Sequence, residues 1–108
     1  MSQVEVGPLE ELPPGAMRLV EVDDKLMIGV YNCGGKLHAI EDRCSHDDGP
    51  LCEGEWEPEA CVVVCPRHGS RFDLESGIPM SLPAFAAVAI YPVSVREDGV
   101  VVVEVPEA

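Results

Sequence analysis

Apolar and polar residues alternate along this chain in short stretches with a period of two, the spacing of a half-buried β-strand, and turn residues break the pattern at close intervals. Gln3 to Gly7 alternates as a strand, and Leu12-Pro13-Pro14-Gly15 then turns the chain. Ala16 to Val22 and Lys25 to Asn32 flank Asp23-Asp24 as a hairpin, and Cys33-Gly34-Gly35 leads into a third strand, Lys36 to Glu41. The segment from Asp42 to Glu59 is rich in acids, Gly, Pro and Cys and predicts irregular chain. Cys61 to Cys65 is a compact β-branched run, followed by a loop at Pro66 to Gly69 and a short strand at Ser70 to Asp73. Leu74 to Gly77 predicts a turn, and Ile78 to Pro83, with two prolines, a further loop. Ala87 to Arg96 and Val100 to Val105 close the chain as strands joined at Glu97-Asp98-Gly99.

These elements predict an all-β protein: an antiparallel β base into which a loop-rich subdomain, about residues 42–83, is inserted. Its 108 residues allow one domain, 1–108, and leave no room for a second. The start, MSQVEVGPLEEL, has no basic segment followed by an apolar stretch, and the longest apolar run, Ala84 to Tyr91, is far shorter than a bilayer-spanning helix needs. A cytoplasmic location is the expectation.

Charge narrows the partners. Twenty acidic residues against seven basic ones give a net charge of -13, which repels nucleic acid and anionic membranes and favours a protein partner with a basic docking face. Eight of the acids lie between Glu41 and Glu59 (Glu41, Asp42, Asp47, Asp48, Glu53, Glu55, Glu57, Glu59) with only Arg43 opposing them, which predicts a docking face in that region.

Five cysteines cannot all pair, and a reducing compartment makes metal binding the leading reading for some of them. Cys44-Ser45-His46 and Cys65-Pro66-Arg67-His68 give the pattern C-x-H, eighteen intervening residues, C-x-x-H. Two thiolates with two imidazoles suit an iron–sulfur cluster or zinc, not the oxygen-loving Mg²⁺ or Ca²⁺. Cys33, Cys52 and Cys61 remain: Cys33, in a turn, and Cys61, at the start of an apolar strand, read as small, partly buried residues without a redox role, and Cys52 stands out because it falls in the loop-rich lobe. His38 reads as an ordinary strand residue, and Trp56 as a cover of the loop-rich lobe against the base.

The strings Cys44-Ser45-His46-Asp47-Asp48-Gly49-Pro50-Leu51 and Cys65-Pro66-Arg67-His68-Gly69-Ser70-Arg71-Phe72-Asp73 resemble the Rieske family, and the resemblance extends over nearly the whole chain in the size and order of its strands. It implies one [2Fe-2S] cluster, with Cys44 and Cys65 on one iron and His46 and His68 on the other. Gly49 and Gly69 would let backbone amides approach the sulfurs, Pro66 would stiffen the second loop, Ser70 would offer a hydroxyl to a bridging sulfide, and Pro83 would belong to a third loop over the cluster. High-potential members carry a disulfide brace at positions that here are Gly49 and Arg67, and a sulfur-bonding tyrosine where this chain has Phe72. Without these features the expected potential lies in the lower half of the roughly -150 to +300 mV Rieske range, and it should fall at high pH as the ligand histidines lose protons.

No activated nucleophile is legible, so the expected role is a one-electron carrier and not an enzyme. The resemblance implies a ferredoxin passing electrons from a reductase to a terminal oxygenase, through the edge of His46 or His68, and a monomer is the expectation for a carrier that must present its cluster to successive partners. Electron supply to iron–sulfur cluster assembly, a zinc-stabilised interaction module and the small subunit of a larger reductase are the alternatives.

Overall fold

A computed structural model describes residues 2–44, 49–67, 69–82 and 86–106. Among them the regular structure is antiparallel strand, apart from one 3-10 turn at Leu9–Glu11. The strands are β1 (Ser2–Pro8), β2 (Met17–Glu21), β3 (Met27–Cys33), β4 (Lys36–Glu41), β5 (Trp56–Glu57), β6 (Val62–Val64), β7 (Arg71–Asp73), β8 (Ile90–Tyr91), β9 (Val93–Val95) and β10 (Val100–Val105). They form three sheets, ordered β1-β10-β9, β2-β3-β4-β8 and β5-β6-β7. The third sheet is made entirely of chain that lies between β4 and β8, so it forms a lobe inserted into the other two.

Local chemistry sets the strand limits. The β2–β3 hairpin opens at Met27, two residues later than the alternation predicts, because the Asp23 carboxylate accepts hydrogen bonds from the backbone amides of Lys25 (2.8 Å) and Leu26 (2.9 Å). Val6 is an extra residue in the β1–β10 ladder, where Glu5 faces Val102 and Gly7 faces Val101. The Arg18 guanidinium donates to the bulged Val6 carbonyl at 2.9 Å, satisfying a group the ladder has lost. The single strand expected over 87–96 is two strands. Pro92 has no amide to donate, and at Pro92 the chain leaves β4, where Ala39 and Ile40 pair with Tyr91 and Ile90, and crosses to β10. The acid-rich segment, expected to be irregular throughout, contributes β5, whose Trp56 pairs with Val63.

Two cores share the β3–β4 layer as a wall. Ile28, Val30 and Ala39 face Leu12, Val101, Val103 and Val105 in the base. Tyr31 and Ile40 face the other way, onto Cys44, Leu51, Cys52, Val63, Cys65, Phe72, Leu74 and Val88 in the lobe. Five consecutive residues of β3, Ile28 to Asn32, are therefore buried, as expected for a strand covered on both faces.

Candidate functional site

The two cysteine-bearing loops begin at the ends of strands that pack into the lobe core. Cys44 follows β4 and Cys65 follows β6 directly. They are 0% and 1% exposed, belong to the same buried cluster, and neither is in a disulfide. His46, His68 and Pro83, with Asp47 and Asp48, lie outside the described residues.

Backbone bonds close each loop onto its cysteine. The Cys44 amide donates to the Gly49 carbonyl at 2.7 Å. Just before it, the Asp42 carboxylate accepts from the amides of Leu51 (2.9 Å) and Cys52 (2.7 Å), so one side chain ties the start of the first loop to its end. In the second loop the Cys65 amide donates to the Ser70 carbonyl at 2.8 Å, and the Gly69 amide donates back to the Cys65 carbonyl at 3.0 Å. That reversal places Gly69 at φ 75°, a conformation glycine adopts without steric cost. Ser70 and Phe72 are fully buried, and Phe72 packs in the cluster with both cysteines. Pro66 is exposed, with Gly49 half-buried.

The segment after β7 is pinned alongside. The Met80 amide donates to the Arg71 carbonyl at 2.6 Å, and the Arg71 amide donates to the Ser81 hydroxyl at 2.9 Å. This segment carries three exposed apolar side chains, Ile78 (55%), Met80 (59%) and Leu82 (79%).

The acidic region is less uniform than its sequence suggests. Asp42 is used as the loop clamp, Glu41 lies 3.6 Å from Arg43, and Glu57 makes a two-pronged ion pair with Arg71 at 2.5 and 3.0 Å that holds its carboxyl below the usual range. Glu53, Glu55 and Glu59 are exposed and form no ion pair among the described residues. Glu53 and Glu55 border an open cleft of about 420 Å³ whose other walls are Gly54, Val64, Cys65, Pro66 and Gly69.

Beneath the first loop, Cys52 packs over Gly29 of β3. Burial is the main cause that pushes its thiol up to about 12, with the Asp42 carboxylate adding to the rise, so Cys52 is a neutral thiol at physiological pH. The neighbouring Tyr31 hydroxyl is buried and makes no hydrogen bond of good geometry among the described residues, with only the weakly accepting Cys52 thiol beside it; burial first, then Cys52, raises its pKa. Trp56 lies edge-on to Tyr31 and covers the lobe against the base, as the sequence predicts.

Cys33 and Cys61 depart from their expected role as unlinked residues. They are joined in a disulfide with Cα atoms 5.5 Å apart, and a nitrogen of His38 lies within 4.8 Å of both sulfurs. Tyr31, Cys33 and His38 share one face of the β3–β4 ladder, because Tyr31 pairs with His38 and Cys33 stands two residues further along. Linear sequence gives only a weak signal for this juxtaposition: the position of Cys61 against that face is set by lobe packing, 28 residues on.

The donor chemistry fits a cluster held by two cysteines. Two buried thiols outside any disulfide sit at the roots of two loops, which are tightly closed by their own backbone and followed in sequence by one histidine each. Comparison with known proteins agrees. The Rieske [2Fe-2S] domain matches residues 2–92. The chain is 36% identical over 108 residues, all of it and 98% of the relative, to the 3-phenylpropionate/cinnamic acid dioxygenase ferredoxin subunit of Escherichia coli K12. Among solved structures, the ferredoxin of carbazole 1,9a-dioxygenase from Nocardioides aromaticivorans IC177 superposes with a TM-score of 0.85 at 32% identity, covering 95% of this chain and 97% of that one. A ferredoxin-like match of TM-score 0.85 and 32% identity, covering 94% and 91% of the two chains, comes from a complex of reduced oxygenase and oxidised ferredoxin in carbazole 1,9a-dioxygenase.

Proposed function

This chain belongs to the Rieske [2Fe-2S] domain family, and from that premise we propose that it is the ferredoxin of an aromatic-ring dioxygenase system, an electron carrier that delivers electrons to a terminal oxygenase. It is not itself the oxygenase. The observation that carries the reading is the pair Cys44 and Cys65, buried in one cluster at the roots of two separate loops.

In this reading Cys44 and Cys65 would hold one iron, and His46 and His68 would hold the other. When bound, the cluster supplies reversible one-electron storage. The residues around it provide a site that changes little between oxidation states. The clamp from Asp42 fixes the first loop, the Cys65–Gly69–Ser70 turn fixes the second, and burial of both cysteines and Phe72 keeps water from the thiolates. Phe72 brings no hydroxyl to a ligand sulfur, which supports a potential in the lower half of the Rieske range. The whole chain acts as one domain, with the lobe of about residues 42–83 carrying the site.

Docking combines two features of the lobe. The exposed Ile78, Met80 and Leu82 offer an apolar contact surface, and Glu53, Glu55 and Glu59 offer negative charge to a basic partner. A reductase that loads the carrier would meet the same features in turn, which suits a monomer working in the cytoplasm. Among the described residues no helix is long and apolar enough to cross a membrane.

The test is single-turnover mixing. Chemically reduced protein, mixed with the oxidised terminal oxygenase of a related aromatic dioxygenase system, is expected to be reoxidised with one electron delivered per chain, at a rate that falls as salt rises. Failure to reoxidise against any such oxygenase while artificial acceptors are reduced readily contradicts the assignment.

A further inference from the structure

Cys33 and Cys61 link the two halves of the molecule. Cys33 ends β3 in the base. Its neighbour Asn32 is buried and fixes the hairpin, donating to the Leu12 carbonyl at 2.8 Å and accepting from the Gly35 amide at 2.7 Å. Cys61 stands at the entrance to β6 in the lobe, where its carbonyl accepts from the Leu74 amide at 2.9 Å, and β6 runs directly into Cys65. The bond therefore fastens the strand that leads to the second loop to the sheet beneath it.

Three observations mark this bond as exchangeable and not as a buried structural staple. Both cysteines are only half-buried, so a small thiol can reach them. Cys61 has φ 55°, the one non-glycine positive φ among the described residues, so the bond ends on a residue held in a sparsely populated backbone conformation. The His38 imidazole, half-buried within 4.8 Å of both sulfurs, supplies a proton acceptor and donor at the place where thiolates form and are released.

We propose that Cys33–Cys61 is a reversible thiol–disulfide site that exchanges with small thiols of the glutathione class and so sets how firmly the lobe is held to the base. In the reducing direction, the thiolate of one small thiol attacks a protein sulfur, the Cys33–Cys61 bond breaks, and a mixed disulfide forms. A second small thiol displaces the protein sulfur from that mixed disulfide. Two electrons pass to the protein, the two thiol protons end on Cys33 and Cys61, and one small-molecule disulfide is released. The site is distinct from Cys44 and Cys65, and from the family brace whose positions here are Gly49 and Arg67.

The test uses the intact protein, equilibrated anaerobically across a series of reduced-to-oxidised glutathione ratios, quenched with acid, alkylated and mapped by peptide mass. The linked Cys33–Cys61 peptide is expected to pass from dominant to absent across the series with the steepness of a two-electron couple. Hydrogen exchange at the Val62 to Val64 amides should rise several-fold in the dithiol form, and His38→Gln should slow exchange several-fold without moving the equilibrium. Cys33→Ser and, independently, Cys61→Ser should show the faster hydrogen exchange at every ratio; the wild-type titration stands without them if either fails to fold. A link that survives excess reduced glutathione, or one that never forms in oxidised glutathione, overturns the proposal. So does a reduced protein that takes up one zinc per chain at these residues and no longer relinks, which would make the triad a metal site instead.

Discussion

The ring of Tyr31, on the base strand β3, and the ring of Trp56, on the lobe strand β5, meet edge to face with centroids 4.9 Å apart and planes at 72°. This contact joins the inserted lobe to the sheet that carries it, on the same face as Cys33. Replacing Trp56 with Ala removes a half-buried aromatic and its partner contact, and should cost about 2 kcal/mol. Denaturant unfolding of the two proteins checks the value, and an unchanged midpoint would contradict the role given to this pair.

Tyr31→Phe should behave differently. The hydroxyl it removes is buried and makes no hydrogen bond of good geometry among the described residues, with only the weakly accepting Cys52 thiol beside it, so its loss relieves a desolvation penalty and leaves the ring contact in place. Stability is expected to be unchanged or to rise by up to about 1 kcal/mol. A clear loss in the same unfolding measurement would mean that the hydroxyl has a partner in solution.

Asp42 is a structural acid within a region that otherwise looks like a docking surface. Its carboxylate serves the amides of Leu51 and Cys52, both buried residues. Asp42→Ala leaves two amides without an acceptor and should cost about 2–3 kcal/mol, whereas Asp42→Asn keeps an acceptor oxygen and should cost about half as much. Iron content of the purified variants should follow the same order.

Cys52 should be chemically silent. With its pKa pushed up to about 12 by burial, its thiolate fraction near neutral pH is roughly a thousandfold below that of an ordinary cysteine of pKa about 9, and alkylation in the native state should slow to match. The folded protein keeps a proton on Cys52 that the unfolded chain loses above about pH 9. This contribution to stability is therefore complete below that pH and declines as pH rises through about 12. Iodoacetamide labelling followed by peptide mass measures the rate, and labelling at the speed of a free thiol would refute the assignment.

Leu82 is 79% exposed and should contribute to docking without contributing to folding. Leu82→Ser is expected to leave the unfolding midpoint within error and to slow electron delivery to the oxygenase about tenfold, the effect of losing a contact of roughly 1.4 kcal/mol. Glu53→Gln with Glu55→Gln should instead flatten the salt dependence of that rate. Stopped-flow mixing over a range of ionic strength separates the two.

What the sequence makes legible follows from how local each determinant is. The β3–β4 hairpin could be read because Gly34 and Gly35 follow Cys33 directly, and the final hairpin because Gly99 turns at φ 83° between two valine-rich strands. Both cysteine loops could be located because each combines its own thiol, turn residues and histidine within a few positions. The break at Pro92 was also local, since a proline inside a run of strand formers removes a donor, yet alternation on either side of it masks the change of sheet. β5 is two residues long in a run of acids and is held by Val62 and Val63 across the lobe, so local preference carries little of its signal. The Cys33–Cys61 bond and the division of the acids into clamp, ion pairs and free charge depend on contacts between distant segments, such as Arg71 with Glu57, that no window along the chain contains.

The central claim is that Cys44, His46, Cys65 and His68 hold one [2Fe-2S] cluster, and low-temperature EPR of the purified protein before and after dithionite reduction, with metal analysis, tests it most directly. The expected result is silence as oxidised, a rhombic Rieske-type signal on reduction, and two irons per chain, with the signal lost in Cys65→Ser while the Cys33–Cys61 pair remains intact. A colourless, EPR-silent protein containing one zinc per chain would contradict it.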